Sequence, residues 1–247
     1  MITLTDNAVL LNKRRHGERG VMVTVFTQDH GKRAGFGYSW SKHAPFQNGM
    51  SLNITWKARS DQHLGGISLE STEPFYAPFL IHPQKGMVIQ MICHYVLTLL
   101  PDHDPHPDVF GAMNQAKADL LTEVSPLRVL ADFERSLLAE LGFACDLSRC
   151  AATGTVEDLA YISPKTGRAV SRAAGAPYHH RLFALPAFWR HGENEPSETE
   201  LYEALSITGH FLEMCLLAPR SLSLPEARAR MMPLLNVESV KVEAACA

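Results

Sequence analysis

The chain has 247 residues, 46% apolar and 20% charged, which suffices for one large domain or two modest ones and excludes a disordered or fibrous chain. Its net charge of −3 hides a division: residues 1–78 carry nine Lys or Arg against six Asp or Glu, and the remainder carries fourteen against twenty. Such a division directs any polyanionic partner to the first third.

Taken in chain order, the opening segments predict strands. Residues 8–15 form the first, and Val21, Val23 and Val25 alternate with Met22, Thr24 and Phe26 in the second, which ends at the turn Asp29-His30-Gly31-Lys32. A third strand covers 34–40. The fourth, 51–59, places Leu52, Ile54, Trp56 and Ala58 on one face and Asn53, Thr55, Lys57 and Arg59 on the other, the period of a strand wetted on one side. With a fifth strand at 67–72, the five suit a small closed barrel, which leaves no edge exposed to aggregation. Pro74, Pro78 and Pro83 then mark a joint.

Beyond the joint the pattern turns helical. The apolar helix around Met87–Leu99 is expected to be buried, and residues 102–108 form an acidic, solvated loop before a helix opened by Pro107-Asp108. A helix over 127–141 stops at Gly142, residues 161–170 read as a short hairpin, and an amphipathic helix covers 198–217.

Motifs for phosphate cradles, dinucleotide binding, nucleophile elbows and zinc helices are missing, so no enzyme is expected. The stretch 87–100 is interrupted by Gln90 and His94 and is too short to span a bilayer. The opening residues lack the order of a secretory leader, and five cysteines make an odd count that favours reduced thiols. A cytoplasmic location is therefore expected. His103 and His106 with their neighbouring aspartates, and Cys145 and Cys150 with distant His179 and His180, lack the ligand spacing of a structural zinc site, so neither metal nor cofactor is expected.

The chemistry concentrates in the basic third. Lys13, Arg14, Arg15 and Arg19 bracket the first turn, Lys32 and Arg33 the second; Lys42 lies after the third strand, and Lys57 and Arg59 stand on the wetted face of the fourth. Cations neutralise phosphates, while Tyr38 and Trp40 offer stacking rings indifferent to base identity. Phe36 alternates with them, so all three point the same way; the alternative, that they face the core, weighs more at Phe36 than at the other two. The bland reading of the same residues is a solvated basic face with no partner.

The order of certain segments resembles the bacterial RecO family of recombination mediators. The resemblance rests on Arg14-Arg15-His16-Gly17-Glu18, Val23–Thr27 with His30-Gly31-Lys32, Phe133–Leu138 with Leu141-Gly142-Phe143, and Asp146–Cys150. Residues 158–164 and 167–171, in the form found in alphaproteobacteria, and 202–220 extend it. It implies an α+β chain: an N-terminal five-stranded OB-fold barrel over 1–78, then a mostly α-helical domain over 79–247 with a hairpin insertion at about 145–175. It also implies a non-enzymatic activity at the nucleoid. Such proteins bind single- and double-stranded DNA, anneal complementary strands and, with RecR and RecF, help RecA displace the single-stranded-DNA-binding protein. The acidic C-terminal tail of that protein docks on the helical domain, where Arg128 and Arg135 are the candidates to meet it. Some relatives hold zinc with four cysteines; here only Cys145 and Cys150 remain, so no zinc is expected. A protein-interaction adaptor with incidental DNA contact is the alternative reading.

Overall fold

A computed structural model describes residues 1–16, 20–38, 46–60, 63–72, 79, 81–191 and 195–235, with Tyr38 and His191 described by their backbone alone. The predicted strands at the start of the chain close into a barrel of β1 (Ile2–His16), β2 (Gly20–Thr27), β3 (Gly31–Tyr38), β4 (Ser51–Ala58) and β5 (Gly65–Ser71), in the order β1-β2-β3-β5-β4. β1 begins six residues earlier than its pattern predicts, because its first half pairs with β4 (Ile2 with Ala58 through Val9 with Ser51) and its second half with β2. A register shift between Leu10 and Asn12 lets one strand serve both neighbours. The two faces expected of β4 are both present: Leu52, Ile54, Trp56 and Ala58 are buried, and Asn53 and Lys57 are exposed. Room for the Trp56 ring comes from Gly65, where any Cβ would sit 2.6 Å from the indole.

Two helices complete the first compact unit, which runs from Met1 to Glu123. They are α1 (Pro83–Leu99), buried on most sides as its composition predicts, and α2 (Pro107–Leu120). Both helices contact the barrel. Cys93 of α1 donates its thiol to the Leu10 carbonyl at 3.8 Å, and Phe110 of α2 meets Phe26 with ring centroids 5.7 Å apart. Buried Lys117 donates to the Ser51 hydroxyl.

The second unit, from Val124, contains α3 (Pro126–Glu140), β6 (Leu159–Ile162), β7 (Ala169–Ser171), α4 (Arg172–Gly175), β8 (Phe183–Ala184), α5 (Phe188–His191), α6 (Glu198–Phe211) and α7 (Glu226–Met231). Gly142, at φ 87°, ends the α3 segment where expected. The expected hairpin is β6–β7, widened by β8 into a three-stranded sheet of order β7-β6-β8. α6 opens with a capping box between Ser197 and Glu200 and is followed directly by a π-helix over Leu212–Leu217. At the centre lies a buried ion pair: Glu134 Oε1 accepts from Arg228 Nε at 2.8 Å, and Oε2 from Nη2 at 2.9 Å. Among the described residues no helix is long and apolar enough to cross a membrane.

Candidate nucleic-acid interface

Strand register assembles the site. Lys57 of β4 pairs with Gly66 of β5, Gly66 with Phe36 of β3, Phe36 with Met22 of β2, and Met22 with Arg14 of β1. Cross-strand partners share a face, so these five residues form one row around the outside of the barrel, roughly 19 Å along its curve at four strand spacings. Lys57 and Arg14 are exposed at its ends, and Met22 and Phe36 are half-buried between them. A Cβ on Gly66 would meet nothing within 4 Å, so the row is open there. Its side chains hold one another: Arg14 Nη2 donates to Met22 Sδ at 4.0 Å, and the His16 ring lies 4.9 Å from that of Phe36. Arg15 beside Arg14 and Arg59 beyond Lys57 are also exposed.

Phe36 is the ring at which the core-facing alternative weighs most. It lies on the outer face, not in the core, because Gly35 and Gly37 occupy the inward positions beside it and are buried. The alternation of those glycines was the available signal. Met22 was likewise overlooked, although its alternation with Val21 and Val23 placed it outward.

Two of the expected rim cations are not at the rim. Lys32 and Arg33 are 6% and 5% exposed. Arg33 faces inward with Gly35 and Gly37. Its guanidinium lies 5.4 Å from the Trp56 ring, with Nε donating to the His30 carbonyl at 3.1 Å and Nη1 to His103 Nδ1 at 2.6 Å. Lys32 is covered by the end of α1: its Nζ donates to the Leu97 carbonyl at 2.7 Å and pairs with Asp102 at 3.2 Å. A last-turn carbonyl lacks an intrahelical donor, and the ammonium supplies one. The acidic loop after α1 is thus exposed as expected, yet it also holds two buried cations. Lys13 is exposed, but its Nζ is committed to the Phe46 carbonyl. Arg19, Trp40 and Lys42, and the side chain of Tyr38, lie outside the described residues.

In the second unit, Arg128 and Arg135 stand seven residues apart on α3 and stack on consecutive aromatics of α5. Arg128 lies 6.0 Å from the Phe188 ring centroid and Arg135 5.6 Å from that of Trp189. Arg128 also pairs with Glu195 at 3.3 Å and Asp132 at 3.6 Å, whereas Arg135 is exposed with no carboxylate partner among the described residues. The aromatic pair was not foreseen as part of this surface, since about fifty residues separate it from α3. Cys145, half-buried, has its thiol pushed up to about 11 by burial, which disfavours the thiolate a metal would need. Among the described residues no group of three or more His, Cys, Asp or Glu is placed to hold a metal ion.

Two family models match this chain: one described as recombination protein O N terminal over residues 1–75, the other as recombination protein O C terminal over residues 83–223. Similar relatives bear the name DNA repair protein RecO. That of Beijerinckia indica subsp. indica is 40% identical over 232 residues, covering 90% of this chain and 91% of the relative. Those of Xanthobacter autotrophicus and Cereibacter sphaeroides are 41% and 42% identical, the latter over 95% of this chain and 99% of the relative.

Proposed function

The chain belongs to the recombination protein O family of DNA repair proteins, and from that premise we propose that it binds DNA through the outer face of its barrel and anneals complementary strands. The observation that carries this reading is the row from Lys57 to Arg14, with cations at both ends, a half-exposed phenylalanine between them and an open saddle at Gly66. The mechanism is electrostatic. Arg14, Arg15, Lys57 and Arg59 neutralise phosphates, which lets a second strand approach, and Phe36 offers a ring on which any base can stack. Single strands are bound without regard to sequence, and duplex through the same phosphates. No bond is made or broken, so the role is that of a mediator and not of an enzyme.

Partner contact belongs to the second unit in this reading. Arg135, exposed and braced on Trp189, together with Arg128 on Phe188, suits the acidic tail of a single-stranded-DNA-binding protein. RecR, RecF and RecA would then act on the DNA so held, at the nucleoid.

Annealing by the purified chain tests the proposal. Two complementary oligonucleotides, one carrying a fluorophore and the other a quencher, should pair faster with the chain than without it. Lys57→Glu/Arg59→Glu should slow that pairing about tenfold or more for every sequence tried. A chain that neither binds nor anneals DNA, yet captures its protein partners, would be an adaptor, and the proposal would fall.

A further inference from the structure

Within the acidic remainder of the chain one stretch has the opposite sign: residues 145–191 hold six Lys or Arg against three Asp or Glu. The stretch contains the sheet β7-β6-β8, and the register gathers part of its charge at one end. Ile162 of β6 pairs with Phe183 of β8, so the β6–β7 turn and the residues just before β8 lie at the same end of the sheet. Lys165 is exposed in that turn, and the 3-10 segment Ala176–Arg181 exposes Tyr178, His179, His180 and Arg181.

Three of the six cations are committed. Arg168 pairs with Asp146 at 3.5 Å, Arg172 with Asp158 at 3.2 Å, and Arg190 donates to the Leu159 carbonyl at 3.0 Å. Lys165 and Arg181 have no carboxylate partner among the described residues. The platform beneath them is held. His210 Nε2 donates to the Pro164 carbonyl at 3.0 Å and its ring stands 5.2 Å from Phe183. His179 Nδ1 donates to the Ala176 carbonyl at 3.0 Å, and the His179 and His180 rings meet edge to face at 5.7 Å.

A phenol 59% exposed, two ordered imidazoles and two uncommitted cations provide rings for bases and charges for phosphates. An acidic peptide would use the cations and leave the rings idle. We propose that this end of the β7-β6-β8 sheet is a second contact for single-stranded DNA, so that one molecule holds two strands. The inference rests on the reading of the chain as an annealing protein and assigns the second strand to its own surface.

The test uses the full chain and two non-complementary oligothymidylates carrying a donor and an acceptor fluorophore. Energy transfer reports both strands on the protein, while anisotropy of a single labelled strand at limiting concentration reports the barrel. Lys165→Glu/Tyr178→Ala/Arg181→Glu should cut transfer about fivefold or more and change single-strand affinity less than about twofold. Lys57→Glu/Arg59→Glu should weaken the single-strand affinity itself. Transfer unchanged in the sheet-end variant overturns this inference alone. A wild-type chain that binds no oligonucleotide overturns both the barrel reading and this one. A measurement on the unsubstituted chain guards against a misfolded variant: photocrosslinking with bromodeoxyuridine-substituted single strands should label the tryptic peptide Ala173–Arg181. A crosslink that avoids that peptide overturns the inference.

Discussion

Two nearby positions on β3, Arg33 and Phe36, have opposite surroundings: one is buried, the other half-exposed. Arg33 packs over Trp56 and donates to the His30 carbonyl and His103, so Arg33→Ala should lower the unfolding free energy by about 2–4 kcal/mol, since the buried guanidinium's packing and its charged hydrogen bonds are lost. The folded fraction of that variant should bind DNA as the wild type does, which a urea titration and an anisotropy titration together would check. Phe36→Ala should do the reverse. The ring is half-exposed, so stability changes little, while affinity for single strands should fall by about 1–3 kcal/mol if a base stacks there. An Arg33 variant that stays stable and loses DNA would return that residue to the interface. These roles could not be read from the sequence, because burial of Lys32 and Arg33 depends on Leu97, Asp102 and His103, some sixty-five to seventy residues away. The β4 alternation was legible because each residue's burial there depends on its own parity along the strand.

Among the elements, strength of local pattern decided what could be foreseen. α3 and α6 were foreseen from apolar spacing and the end of α3 from Gly142, whereas the capping box at Ser197 was not. β8 has two residues and no period to detect, and the first half of β1 is a strand only because β4 lies beside it. The short α7 has little helix-forming power of its own at six residues. It is held by Arg228, which is 5% exposed and bonded to the fully buried Glu134 and to the Leu205 carbonyl. Removing the guanidinium strands a carboxylate without its charge partner. Arg228→Ala should therefore cost about 3–5 kcal/mol, and the midpoint of urea unfolding should move accordingly. A shift below about 1 kcal/mol would show that the pair contributes specificity and not stability.

At the scale of the whole molecule, function follows from how charge is allocated. A net charge of −3 would repel DNA if it were spread evenly, but the first third carries the basic excess, and Arg14 and Lys57 end one outward row of its barrel. That the first third carries the basic excess was legible from charge alone. Which of its cations are available was not, since that depends on the covers provided by α1 and the loop after it. Arg14, Arg15, Lys57 and Arg59 remain exposed among the described residues. The most direct measurement is the salt dependence of oligothymidylate binding by the full chain. Four phosphate contacts predict a slope of about −3 for log affinity against log salt, falling to about −1.5 in Lys57→Gln/Arg59→Gln. A slope near zero, or one that the two substitutions leave unchanged, would contradict the account.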